Sequence, residues 1–134
     1  MQLTPYLQFD GRAEEAIQFY KAALGAEVVM MLRFKESPDQ SMLAPGSENK
    51  IMHATLRVGE STFHASDGHC GGQSKFDGFN LNLLFKSDAE AQKTFAALAD
   101  GGKVCMPLTK TFFSSNFGMV NDRFGVPWMV YVGM

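Results

Sequence analysis

The sequence predicts an α+β fold made of two copies of one strand–helix–three-strand unit, and three observations predict it. The segment Phe9–Glu27, FDGRAEEAIQFYKAALGAE, reads as strand end, tight turn, amphipathic helix, glycine stop and new strand. The segment Phe85–Val104, FKSDAEAQKTFAALADGGKV, repeats it, with Ala16, Tyr20 and Ala23 recurring at a constant offset as Ala91, Phe95 and Leu98. Alternating apolar and polar residues flank both helices, as half-buried strands require. A chain of 134 residues, 46% of them hydrophobic, can bury a core without metal or disulfide staples. The expected organisation is one domain of two modules, 1–67 and 79–134, joined by a Gly-rich linker over 68–78.

In chain order, Leu3–Phe9 alternates with Leu3, Pro5, Leu7 and Phe9 on one side and Thr4, Tyr6 and Gln8 on the other. Asp10 and Gly11 turn the chain into a helix from Ala13 to Leu24, which starts acidic at Glu14 and Glu15 and stops at Gly25. Glu27–Phe34 is the next strand, and the prolines and polar residues of 35–50 predict a long mobile loop. Lys50–Val58 and Ser61–Ser66 form a hairpin around Gly59-Glu60. After the linker, Phe79–Phe85 sets Phe79, Leu81, Leu83 and Phe85 against Asn80 and Asn82. Ser87 or Asp88 caps a second helix to Ala99, ended by Gly101-Gly102, and strands over Val104–Thr109, Phe117–Asn121 and Pro127–Val132 complete the copy.

Composition excludes several partners. A net charge of −2, with lysines and arginines scattered singly, leaves no basic stripe for a phosphate backbone, so nucleic acid is not expected. No apolar stretch approaches the ~20 residues of a membrane span, and MQLTPYLQFD is not a secretory leader, so no membrane partner and a cytoplasmic location are expected. Cys70 and Cys105 sit in no CxxC spacing and are assigned no bridge.

The phrases YLQFDGRAEEAIQFYKAALGAE, HATLRVGESTFHASDG and NDRFGVPWMVYV, in that order on a repeat, resemble the PhnB-like branch of the vicinal oxygen chelate superfamily, the glyoxalase, bleomycin-resistance and dioxygenase group. The resemblance covers nearly the whole chain. It implies two βαβββ modules whose curled mixed sheets form a cup-shaped cavity, in a homodimer. In metal-dependent members four His, Glu or Gln ligands come from the first and last strands of each module. Carried over here, those places fall on Thr4, His64 (or Phe63), Asn80 (or Asn82) and Met129, which offer one strong donor and no charge to offset an ion. No metal and no cofactor are therefore expected.

Alternation names the residues left for the cavity: Thr4, Tyr6 and Gln8; His53, Thr55 and Arg57; Thr62, His64 and Ser66; Asn80 and Asn82; Met129 and Tyr131. An antiparallel sheet with one wet face shows the same alternation without binding anything, and that alternative stays open. His53 and His64 lie on facing strands of the hairpin and point into the same cavity. They act as a base, hold an anion beside Arg57, or are simply hydrogen-bonded cavity residues. His69 and Cys70 read as loop residues after an ordinary Asp67-Gly68 turn, and Asp122 with Arg123 as a surface pair. Phe112, Phe113, Phe117 and Trp128 supply either an apolar pocket wall or core, Trp128 being core.

The expected function is a metal-free small-molecule-binding protein of the bleomycin-resistance type. The ligand set is Tyr6, Gln8, Thr55, Arg57, Asn80, Asn82, Phe112 and Met129, with His64 and His53 as the candidate catalytic pair. The alternative is a lyase, isomerase or dioxygenase of the superfamily that uses His64 with or without a divalent metal. Methyl transfer from a nucleotide-like cofactor, a label also attached to this branch, has no Gly-rich strand-to-helix loop to support it.

Overall fold

Each half of the chain buries one apolar helix stripe on one face of a four-stranded sheet. The computed structural model describes residues 1–39, 45–68 and 74–133, and divides them between two compact units, Met1–Ser74 and Lys75–Met134. His69 and Cys70 and part of the expected 35–50 loop lie outside the described residues.

The first unit contains β1 (Tyr6–Gln8), α1 (Ala13–Leu24), β2 (Glu27–Arg33), β3 (Ile51–Val58) and β4 (Ser61–Ser66), with a short 3-10 turn over Phe34–Glu36. The sheet order is β1-β4-β3-β2, with β1 parallel to β4 and the other pairs antiparallel. Ala13, Ala16, Ile17 and Tyr20 of α1 are buried over Leu7, Ala54, Leu56, Phe63 and Ala65. Tyr20 meets the Phe63 ring edge-on at 5.9 Å. Full burial of Ile17 or Leu56 contributes about 1.5–3 kcal/mol each. Gly25 stops the helix in the left-handed region, at φ 67°, where a β-carbon is disfavoured.

The second unit repeats this plan with β5 (Leu81–Phe85), α2 (Asp88–Ala99), β6 (Lys103–Thr109), β7 (Phe117–Asn121) and β8 (Pro127–Val132), in the order β5-β8-β7-β6. Ala91, Phe95 and Leu98 of α2 are buried with Val120, Trp128, Val130 and Val132. Gly118 makes this possible, because a β-carbon there would sit 2.9 Å from the Phe95 ring and 3.0 Å from the Met106 carbonyl.

Both first strands are shorter than the alternation predicts, and prolines explain why. His64 N–H donates to the Pro5 carbonyl, but Pro5 has no N–H to return, so β1 begins at Tyr6 and Leu3 is 100% exposed. In the other unit Leu81 pairs with Trp128, which would set Asn80 opposite Pro127; β5 therefore begins at Leu81, and Phe79 and Asn80 lie outside it.

Two aspartates also play different parts from those expected. Asp67 is no ordinary turn residue: it is buried, its Oδ1 accepts from Gly11 N at 2.6 Å and Ala13 N at 2.9 Å, and its Oδ2 accepts from Ile51 N at 2.8 Å. It thus caps α1 from the residue that follows β4, where the N-cap residue Arg12 provides no side-chain cap. Asp122 is not half of a surface pair. Only 3% exposed, it accepts from Phe124 N, Val126 N and Trp128 Nε1 at 2.9, 3.1 and 2.9 Å, while Arg123 turns to Asp100. That acceptor is what lets an indole N–H be buried in the core.

Candidate functional site

The face of the first sheet opposite α1 carries Tyr6 and Gln8 from β1, His53, Thr55 and Arg57 from β3, and Thr62 and His64 from β4. The polarity follows from strand period, since Leu7, Ala54, Leu56, Phe63 and Ala65 take the helix side. Register then brings four of these residues together. Tyr6 and Thr55 are both direct partners of His64, on its two neighbouring strands. Ser66 shares their phase but is buried, so it does not line the open face.

Tyr6, His53, Thr55 and His64 form one hydrogen-bonded chain. The Tyr6 hydroxyl lies 3.1 Å from His53 Nδ1, His53 Nε2 lies 3.4 Å from Thr55 Oγ1, and Thr55 Oγ1 lies 3.0 Å from His64 Nδ1. The imidazole centroids are 5.0 Å apart, and the Tyr6 ring leans on both at 5.6 and 5.7 Å. Burial, and then the neighbouring His64, hold the His53 pKa below its ordinary value, which favours the neutral ring.

Such a chain has two self-consistent polarities. In one, Tyr6 O–H donates to His53 Nδ1, His53 Nε2–H to Thr55 and Thr55 O–H to His64 Nδ1, leaving an N–H on His64 Nε2. In the other every donor is reversed: His64 Nδ1–H donates to Thr55, Thr55 to His53 Nε2, and His53 Nδ1–H to Tyr6. Tyr6 then turns its proton outward, and His64 Nε2 offers a lone pair.

Each of the remaining expected residues has its own setting within its unit. Arg57 is ion-paired across strands with Glu27. Gln8 lies beside Gly68, where any added β-carbon would run into its side chain. Asn80, Asn82, Phe112 and Met129 belong to the second unit, where Asn82 pairs with Met129 and Asn80 precedes the strand. Phe112 is 95% exposed and packs edge-on against Phe113, which does the same to Phe117, both at 5.1 Å. The outer face there is less polar than expected, for beside the expected Met129 it carries Leu84, 61% exposed, and Met119, the partner of Met129 across β7 and β8.

The metal positions carried over from the superfamily do not fit an ion. Thr4 and Asn80 lie outside the strands, Met129 offers a thioether, and His64 has its Nδ1 taken by Thr55. Among the described residues no three His, Cys, Asp or Glu side chains converge. No helix of the described residues is long and apolar enough to cross a membrane.

Comparison with known proteins gives the lineage. The family model described as 3-demethylubiquinone-9 3-methyltransferase matches residues 1–131. The Escherichia coli protein YjdN is 36% identical over 98% of this chain and 95% of its own length. The crystal structure of protein PA1353 from Pseudomonas aeruginosa superposes with a TM-score of 0.88 at 42% identity, covering 99% of this chain and 98% of that one. A Bacillus cereus PhnB protein, described as a putative 3-demethylubiquinone-9 3-methyltransferase, gives 0.83 at 29% identity over 99% and 100%. A glyoxalase/bleomycin resistance protein of Albidiferax ferrireducens shares the fold alone, with a TM-score of 0.65 at 16% identity over 98% of both chains. With two βαβββ units, two four-stranded mixed sheets and a family match over almost its whole length, the chain belongs to the 3-demethylubiquinone-9 3-methyltransferase, PhnB-like family and has the fold of glyoxalase/bleomycin resistance proteins.

Proposed function

We propose that this chain is a small-molecule-binding protein whose first unit holds a polar ligand over Tyr6, His53 and His64 without a metal. The observation that carries this reading is the hydrogen-bonded chain itself. A wet sheet face needs no such order, yet here four side chains from three strands share a single connected set of donors and acceptors. Methyl transfer is a poorer reading, despite the family's description. A nucleotide-like methyl donor is commonly held at a helix N-terminus, and at α1 the Gly11 and Ala13 N–H groups are already given to Asp67. We also infer a homodimer, for which Val29 and Met30, exposed on the edge strand β2, supply apolar surface.

The ligand reading is tested by saturation-transfer NMR with a mixture of small phenols, amides, carboxylic acids and 1,3-dicarbonyls. Binders should shift the His53 and His64 ring signals and weaken about tenfold or more in His64→Ala, equivalent to about 1.4 kcal/mol. Binders that leave both rings unmoved would place the site elsewhere.

A further inference from the structure

We infer that the Tyr6–His53–Thr55–His64 chain is a two-ended proton relay, selecting a neutral ligand with a conjugated donor and acceptor, such as an enol or 1,3-dicarbonyl, and moving a proton across it. The inference rests on the proposed ligand site and adds its ligand class and chemistry.

The argument is one of polarity. Because each link needs one donor and one acceptor, the two ends of the chain are always opposite. When Tyr6 presents its proton, His64 Nε2 presents a lone pair, and when His64 Nε2 carries a proton, the Tyr6 oxygen is left as acceptor. Tyr6 and His64 are direct neighbours on parallel β1 and β4, with ring centroids 5.7 Å apart, so one small molecule can meet both ends. A carboxylate has two acceptors and finds a donor at only one end. An enol conjugated to a carbonyl has one of each and satisfies both.

The same polarity supports a balanced reaction. Starting with the Tyr6 proton outward, the enol O–H gives its proton to His64 Nε2, while His64 Nδ1–H passes its proton to Thr55. Thr55 passes its own to His53 Nε2, His53 Nδ1–H passes its own to Tyr6, and Tyr6 gives its phenolic proton to the enol carbon. The O–H electron pair becomes part of the new carbonyl, and the C=C π pair takes the proton as a C–H bond. The ligand is isomerised, no charge is left behind, and no oxidant or reductant is consumed. Exchange of the two ends with water restores the starting polarity. His53 must be neutral, since a protonated imidazole has no acceptor nitrogen, and its burial favours that state. Thr55 meets no ligand in this scheme and is a positioning residue.

The test uses 2,4-pentanedione as the probe, following enol-to-ketone relaxation by absorbance, deuterium uptake at its central carbon by NMR, and the His64 ring signals in parallel. The wild-type chain should accelerate both processes, with Tyr6→Phe and His64→Gln each losing about 10²-fold. Thr55→Val should lose as much while its His64 ring still shows a saturable shift with the probe, and Thr55→Ser should recover. Saturable ring shifts without acceleration, or Thr55→Val turning over at the wild-type rate, would overturn the relay and leave the ligand site standing. Absence of both shifts and acceleration would overturn the relay and its ligand class, and absence of ring shifts with every member of the mixture above would remove the ligand site as well.

Discussion

The two units share their order of elements and their pairing register, but they differ in what stands on the outer face of each sheet. In the first, β1 sets Tyr6 opposite His64 and β3 sets Thr55 opposite the same histidine. At the corresponding places of the second, β5 sets Asn82 opposite Met129 and β7 sets Met119 opposite Met129. The helix-facing sides stay alike because each has to bury the same stripe: Ala16, Ile17 and Tyr20 in one, Ala91, Phe95 and Leu98 in the other. The repeat thus conserves its dry face and frees its wet one. Among the described residues, a histidine-containing hydrogen-bonded chain stands on the outer face of the first unit, and that is where the proposed ligand chemistry should reside.

The helix starts differ in the same way. α1 is capped by Asp67 from the end of β4, whereas α2 is capped locally by Ser87, which accepts from Glu90 N at 3.4 Å. Asp67→Ala leaves three backbone N–H groups without their acceptor, at about 1–3 kcal/mol for each one that stays buried, so the loss should reach about 3 kcal/mol or more. Ser87→Ala should cost about 1 kcal/mol or less, given the length of its bond. Urea denaturation of the two variants measures the contrast. Equal losses would mean that the remote cap adds nothing beyond a local one.

Gly118→Ala falls between these, at about 1–3 kcal/mol, because the new methyl meets both the Phe95 ring and a backbone carbonyl. A thermal melt that matches the wild type would show that β7 and α2 can move apart at no cost.

The smallest expected effect is a pH dependence. The His53 pKa is lowered in the folded chain from an unfolded value near 6.5, so between those two values the unfolded chain binds more protons. The associated stability is complete above about pH 6.5 and is lost as pH falls toward the lowered value. Melting temperature followed from pH 7.5 to 5 should fall less in His53→Gln than in the wild type. A matching or steeper fall would mean that His53 is not the group responsible.

Much of this was legible from residue order. Gly25, Gly101 and the stripes through Ala16 and Ala91 placed both helices, and period-two alternation placed Tyr6, His53, Thr55 and His64 on one face. What was not legible depends on partners distant in sequence. The short β1 and β5 reflect prolines that affect pairing, Pro5 in β1's own lead-in and Pro127 on the strand facing β5. Asp67 before a glycine looks like a turn because its ligands, Gly11, Ala13 and Ile51, are far away along the chain. Asp122 beside Arg123 looks like a surface pair until Trp128 is seen to need an acceptor. The role of Thr55 required the hairpin register, which sets it and not His53 directly opposite His64.

The central claim is that Tyr6, His53, Thr55 and His64 are one connected chain, and ring-nitrogen chemical shifts test it most directly. With uniform nitrogen-15 labelling near pH 8, both imidazoles should report the same tautomer, either both Nε2–H or both Nδ1–H, because the Thr55 hydroxyl donates to one and accepts from the other. Thr55→Val should uncouple them. Opposite tautomers in the wild type, or ring shifts indifferent to Thr55→Val, would show two separate histidines and contradict the account.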